Sequence, residues 1–397
     1  MTDFAKTRAK FHLPPGVIYL DGNSLGPLPL AAEQRIAQCL NAEWGQQLIR
    51  AWNEAGWMSL PRLLGDKIGA MIGAEPGCVV LGDTLSIKVF QALAAGLALT
   101  PGRHVILSDD GNFPSDLYMA QGLIGLKGGD YRLKIVPPEE IAAMLDDSVA
   151  VLLLTEVDYR TGRLHDMATL TRQAHACGVV TVWDLAHSAG AMPIDLAGCD
   201  VDFAVGCTYK YLNGGPGAPA FIYVAPRLMD RAEPALAGWL GHAAPFAFDL
   251  DYRPAASIDR MRVGTPPIIA LAALDAALDV WAEVDLADVR RVSLDLGDLM
   301  IAEVAAHCPS LELASPLSRS LRGSQVTFRH PEGYAIMQAL IERGVIGDFR
   351  APDRVRFGLT PLYIGQDDIK AAVAILKDVL DQRLWDRPHY RTRALVT

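Results

Sequence analysis

Val182-Trp183-Asp184-Leu185-Ala186-His187-Ser188, followed by Cys207-Thr208-Tyr209-Lys210-Tyr211-Leu212-Asn213-Gly214-Gly215, is the stretch from which the fold can be read. Val179–Val182 is a short β-branched run that predicts a buried strand, and Val201–Cys207 predicts a second. Asp184 then lies at the carboxyl end of the first strand, with Tyr209 and Lys210 at the end of the second. In an open α/β sheet that rim is where ligands bind.

An acid and a lysine delivered together suit pyridoxal 5'-phosphate (PLP). That cofactor needs a lysine to hold its aldehyde as a Schiff base and a carboxylate to keep its ring nitrogen protonated. The competing reading of Asp184 is a helix N-cap before Leu185-Ala186-His187, and of Lys210 a solvated turn lysine. Cys207-Thr208-Tyr209 and Tyr211-Leu212 are poorly suited to a solvated loop, so Lys210 is assigned to the cofactor and Asp184 with it. His187, one helical turn after Asp184, either supports that acid or reaches the cofactor; a lone histidine is more often structural.

Outward from this block, strand and helix patterns alternate from about residue 79 to 224, which predicts an α/β fold with a mainly parallel sheet. Gly82-Asp83-Thr84-Leu85-Ser86 precedes the apolar-periodic Val89–Leu99, and a small-residue turn opening a helix makes a phosphate cradle. On the residues alone an N-cap by Asp83, Thr84 or Ser86 is the commoner reason for such a turn. His104–Ser108 predicts a strand, and Phe113-Pro114-Ser115-Asp116 opens the next helix. Phe113 can stack on a pyridine ring or act as a hydrophobic staple, and Asp116 suits a first turn. Val149–Leu154 is a continuous apolar run, as expected of a strand buried on both faces, and Thr155 ends it. Met167–Cys177 predicts a helix.

Toward the amino end, residues 1–17 read as an arm, Ile18-Tyr19-Leu20 as a short strand, Leu30–Cys39 as a helix and Trp44–Trp57 as a flexible crossing whose tryptophans mostly pack. Toward the carboxyl end, two amphipathic helices run from Pro266 to about Ala306. Strands at Gln325–Arg329 and Arg354–Leu359 then alternate with helices at Tyr334–Arg343 and Asp367–Leu384, and Gly344–Asp353 reads as a loop. The expected division is an arm at 1–45, a large cofactor-binding domain at 46–262 and a small α+β domain at 263–397.

The 397 residues are 51% hydrophobic and 21% charged, a globular balance, and the net charge of −10 argues against nucleic acid or an anionic membrane as partner. The first fifteen residues carry no apolar secretory core and no apolar run reaches membrane-spanning length, so a cytoplasmic protein is expected. Cys39, Cys78, Cys177, Cys199, Cys207 and Cys308 show no paired spacing, which favours free thiols and no metal site. No Gly-x-Gly-x-x-Gly or Gly-x-x-x-x-Gly-Lys loop marks a nucleotide-binding enzyme.

Asp184-x-x-His187 with Tyr209-Lys210-Tyr211-Leu212-Asn213 resembles the kynureninase family, within the fold type I PLP enzymes. Tyr19-Leu20-Asp21-Gly22-Asn23-Ser24-Leu25-Gly26-Pro27, Phe113-Pro114-Ser115-Asp116, Gly238-Trp239 and Thr265-Pro266-Pro267 resemble further family motifs in the same order, from about Ile18 to Tyr363. The resemblance implies hydrolysis of L-kynurenine to anthranilate and L-alanine, with the cofactor on Lys210. It implies that Leu85, Ser86, Phe113, Pro114, Ser115, Asp116, Thr155, Asp184, His187 and Tyr209 hold the cofactor. Trp239 and Thr265 would reach the phosphate from the partner of a homodimer. It further implies that Arg356 grips the substrate carboxylate, with Arg350 and Arg354 as competing candidates, and that Asn23 and Ser24 lie near the substrate. Lys210, Tyr209 and Asp184 would carry the catalysis. Animal members, which favour 3-hydroxykynurenine, carry Asn where this chain has Thr265; the Thr resembles the bacterial type. A cysteine desulfurase-like lyase is the nearest rival, although such enzymes place a His before the lysine where this chain has Tyr209, and Cys308 is a poor nucleophile. A non-catalytic PLP-binding sensor is the other.

Overall fold

The computed structural model describes residues 1–393. Its main sheet has seven strands: β1 (Val79–Leu81), β2 (Val105–Asp109), β3 (Arg132–Val136), β4 (Val149–Thr155), β5 (Val180–Asp184), β6 (Phe203–Gly206) and β7 (Phe221–Val224). They lie in the order β1-β7-β6-β5-β4-β2-β3, and only β7 runs against its neighbours. Every residue of β4 and β5 is buried, as expected of the continuous apolar run Val149–Leu154 and of the β-branched Val180-Thr181-Val182. The register sets Thr155 beside Asp184 and Asp184 beside Val205, so the polar residues ending these strands share one rim.

Helix Leu85–Leu99 packs across β4, β5 and β6, and helix Pro114–Lys127 packs against it. The first turns of both begin at the rim. Helix Leu60–Met71, unread in the sequence, backs β1. Its Gly65 is there for contact: a Cβ would come within 2.3 Å of the Val79 carbonyl oxygen. Helix Ile268–Asp279 lies on helices Leu30–Gln38 and Leu60–Met71, with the first of the two expected carboxyl-side helices ending in a 3-10 turn at Val280–Glu283.

A second sheet is antiparallel throughout. Its strands are β8 (Glu312–Leu313), β9 (Gln325–Arg329), β10 (Asp348–Arg350) and β11 (Arg354–Gly358), in the order β10-β11-β9-β8. Helices Leu286–His307, Gly333–Ile341 and Gln366–Asp381 pack with it. The expected strand at Ile18-Tyr19-Leu20 forms at Ile18–Tyr19 and pairs in parallel with Val345–Ile346. Leu20 bonds to both sides, its N–H to the Ile346 carbonyl and its own carbonyl to the Gly358 N–H. The amino-terminal loop is thereby stitched onto the second sheet.

Two sequence expectations need correction. Gly344–Asp353 is not a loop, because it holds Val345–Ile346, paired with Ile18–Tyr19, and β10, whose Asp348 and Arg350 are ion-paired rather than apolar. Trp44–Trp57 is not a flexible crossing but largely helical, with a π-helical run at Cys39–Gln47, a 3-10 turn at Leu48–Arg50 and a helix at Ala51–Glu54. Of its tryptophans, Trp57 is buried and donates to Glu43 Oε2 at 2.8 Å, whereas Trp44 is 56% exposed and packs little. The arm also carries a short helix, Phe4–Arg8, capped by Asp3.

Candidate active site

A cavity of about 150 Å³ opens where the rim of the main sheet faces the second sheet. Strands β4 and β5 bring Thr155 and Asp184 to it, and the segment after β6 brings Tyr209 and Lys210. Leu85 and Phe113 enter from the starts of their helices, Asn23 and Ser24 from the amino-terminal loop, and Arg356 from β11.

Lys210 Nζ lies 3.0 Å from His187 Nε2. The direction of this bond follows from the next residue out. Gln325 Nε2 donates to the carbonyls of Asp158 and Tyr159 at 3.3 and 3.0 Å, so its Oε1 is the atom 2.9 Å from His187 Nδ1. A carbonyl oxygen only accepts, so Nδ1 carries the imidazole hydrogen and Nε2 is left to accept from Lys210. Burial, then the positive charges of Lys210 and Arg356, push the His187 pKa well below its ordinary value, so the ring stays neutral. His187 is therefore an acceptor holding the lysine amine, and not an acid.

Asp184 is buried at the sheet rim. One oxygen accepts the Ala186 N–H at 2.9 Å; the other has only the Thr155 hydroxyl at 3.5 Å. That hydroxyl is drawn away toward Asn112 Oδ1, 2.5 Å distant. Burial raises the Asp184 pKa to about 6, against the lowering effect of Lys210. Asp116 is buried with its Oδ2 unbonded, and burial followed by the charge of Asp184 pushes its pKa well above the usual carboxylate range. Neither acid has an ion-pair partner among the described residues, and the charge of Lys210 does not overcome their burial.

The phosphate-cradle candidates also meet. Ser86 and Ser115, each in the first turn of its helix, have hydroxyl oxygens 2.8 Å apart, so two helix amino termini converge on one place. Thr84, at the N-cap position, makes no side-chain cap bond. Pro114 occupies the first position of its helix, and Phe113 before it is 41% exposed, meeting Tyr159 edge to face at 5.1 Å. Burial pushes the Tyr209 pKa up, so its phenol keeps its proton at neutral pH.

Arg356 is almost wholly buried and doubly paired with Asp348, through Nε at 2.7 Å and through Nη2. Burial pushes the Asp348 pKa up, but Arg356 and Arg350 outweigh it and leave it lowered. Ser24 Oγ donates to Asp348 at 2.7 Å and accepts from Arg356 at 2.9 Å. Asn23 is fully buried against the backbone of Gly358, where a Cβ would come within 2.1 Å of its Oδ1.

Of the residues named from the sequence, Ser86, Pro114, Ser115 and Asp116 sit in the first turns of their helices without lining this cavity, and Trp239 and Thr265 do not line it either; the last two are exposed on the surface of the chain. Arg354 does not line it either, whereas Arg350 and Arg356 both do. Sequence reading missed Tyr159, Gln325, Asp348 and Asn112. The spacing Asp348-x-Arg350, two charges on one face of a strand, was the available signal for Asp348, and reading that segment as a loop hid it.

Residues 289–376 match the family model of the kynureninase C-terminal domain. A kynureninase of Burkholderia pseudomallei is 50% identical over 99% of this chain and 96% of its own length. The chain belongs to the kynureninase family. A kynureninase of Pseudomonas fluorescens is 48% identical over the same shares. Among solved structures, cysteine desulfurases of Thermococcus onnurineus and Escherichia coli both superpose with a TM-score of 0.81. They cover 95% and 96% of this chain and 98% and 99% of their own, at 17% and 19% identity, which shows the shared fold alone. The fold expected from the sequence is the one found, and the kynureninase family makes the chain an enzyme.

Proposed function

We propose that this protein hydrolyses the Cβ–Cγ bond of L-kynurenine to give anthranilate and L-alanine, with PLP as its cofactor. The observation that carries the reading is a lysine amine and a buried, cation-deficient carboxylate facing one cavity, in a chain half identical to kynureninases. The residues present fit the cofactor. Asp184 offers a carboxylate oxygen with no strong partner, the Ser86–Ser115 pair marks two converging helix termini suited to a phosphate, and Phe113 offers a ring beside Lys210. Leu85, Pro114, Thr155 and His187 complete that holding set.

When bound, the cofactor supplies an aldehyde for an amine and a protonated ring into which electrons released at the substrate α-carbon can drain. Asp184 keeps a ring nitrogen protonated. Lys210, held by His187 Nε2, takes and returns the α-proton. Tyr209 is the second proton carrier, its phenol donating while the carbon–carbon bond breaks. Groups of this kind contribute about 10²–10⁴-fold each. Arg356 and the loop at Asn23 and Ser24 orient the substrate carboxylate.

Two copies form the working unit in this reading. Trp239, 42% exposed, and Thr265 lie outside their own chain's cavity and serve the partner's. Thr265 resembles the bacterial type, which favours unsubstituted kynurenine; the 3-hydroxy form is a second candidate substrate. The proposed setting is tryptophan catabolism, or the supply of pyridine nucleotide precursors, in the cytoplasm. No helix among the described residues is long and apolar enough to cross a membrane, and no group of three or more metal-ligating side chains occurs among them. The division into 1–45, 46–262 and 263–397 remains the proposed domain organisation. The desulfurase alternative rests on fold alone, and buried Cys308, its pKa pushed up to about 11 by burial, is no mobile nucleophile.

The test is product identification with PLP-loaded protein. Anthranilate and alanine from L-kynurenine, without sulfide from L-cysteine, supports the reading; sulfide without anthranilate refutes it.

A further inference from the structure

Arg356 cannot by itself offer a carboxylate a two-point grip. Its Nε and Nη2 hold both oxygens of Asp348, Nη2 also reaches Ser24 Oγ at 2.9 Å, and Nη1 donates to the Tyr159 carbonyl at 2.5 Å. A guanidinium has five N–H groups, so one, on Nη1, is left over. Freeing a fork would mean separating Arg356 from Asp348. Both side chains are 1% exposed, and breaking a buried ion pair is strongly unfavourable.

Arg350 stands beside it for a reason written in the strand register. Asp348 on β10 lies opposite Arg356 on β11, and the period of two puts Arg350 on the same face as Asp348. Both guanidiniums therefore converge on one carboxylate. Arg350 Nη2 is 2.6 Å from Asp348 Oδ2 and 3.2 Å from Ser24 Oγ. Unlike Arg356, Arg350 commits only this nitrogen; its Nε is buried with no partner. Arg160, Arg329 and Arg354 also have a buried Nε without a partner, so the unmatched donor matters at Arg350 because of where it stands. The side chain lines the same cavity as Lys210 and Asp184.

The local charge agrees. Two guanidiniums face Asp348 and Asp21, and burial together with the charge of Asp348 pushes Asp21 up to about 7. Near neutral pH the cluster holds more positive than negative charge.

We infer that Arg350 is a second carboxylate-binding residue, which clasps the substrate α-carboxylate together with the remaining N–H of Arg356. Asp348 stays in place as the positioning residue that fixes both guanidiniums. This rests on the reading that the site takes an α-amino acid.

The test titrates PLP-loaded wild-type and Arg350→Gln proteins with L-alanine, the proposed product, and with ethylamine, which is alanine without its carboxylate. Binding is followed by cofactor absorbance. Loss of a charge-assisted contact weakens L-alanine about tenfold or more and leaves ethylamine within about twofold, with Arg350→Lys recovering part of the loss. Equal effects on both ligands, or none on either, overturn the inference. Should Arg350→Gln fail to load cofactor, a crystal structure of the wild-type enzyme with L-alanine decides. A carboxylate bonded to both arginines sustains the inference, and one bonded to Arg356 alone overturns it. Neither measurement needs turnover, so failure to cleave kynurenine would count against the proposed substrate and leave this result readable.

Discussion

The two walls of the cavity are out of electrical balance in opposite directions. On the main-sheet side, Asp184 lines the cavity and Asp116 lies behind it within reach of its charge; both are buried carboxyls without an ion-pair partner among the described residues, and both are pushed toward the protonated form. On the second-sheet side, Asp348 is equally buried but carries two arginines, and its pKa is lowered. Burial is common to both walls, so the partner decides the sign. One wall asks for a positive charge and the other for a negative one. A cofactor with a protonated ring nitrogen answers the first, and an amino acid's carboxylate answers the second.

Breaking the acidic wall has the largest expected effect. Asp184→Asn keeps the shape and removes the charge, and turnover of L-kynurenine should fall on the order of 10³-fold with the protein still folded. An unchanged rate would remove Asp184 from the chemistry.

Glu156 is the control for that wall. It too is buried with an unbonded oxygen, and burial raises its pKa to about 7, but it is not among the residues lining the cavity. A carboxyl raised in the folded state keeps a proton that the unfolded chain releases. Its effect is absent below pH 4.5, grows unfavourable as pH rises to about 7, and is constant above that. Glu156→Gln should therefore match wild type in acid and exceed it by up to about 3 kcal/mol at pH 8, read from denaturant unfolding. A stability gap independent of pH would contradict this.

The smallest effect sharpens the basic wall. Arg356→Lys keeps the charge but loses both the fork that holds Asp348 and the one N–H left for a substrate, so KM should rise about tenfold while kcat changes less. Equal losses in both would mean that Arg356 acts on the transition state and not on binding.

The acidic wall was the legible one. Val149–Leu154 is an apolar run and Val179–Val182 a β-branched one; both read as strands without help, and the strands they form end in the residues that matter, Thr155 and Asp184. The basic wall was legible only at Arg356. Asp348 and Arg350 are the two ends of one three-residue strand, within a Gly- and Pro-punctuated segment. Their structure comes from cross-strand ion pairs that a linear reading cannot see. Gln325 was hidden differently: it was read as the start of a strand, while its side chain sets the His187 tautomer from another sheet. Helix Leu60–Met71 was obscured by Gly65 and Gly69, which weaken helix propensity but allow close approach to Val79.

The most direct measurement of the whole account is anthranilate fluorescence after mixing PLP-loaded protein with L-kynurenine, for wild type and Lys210→Ala side by side. The account predicts a steady rise in the wild type and none in the variant. A variant that retains near-normal release of anthranilate would contradict it.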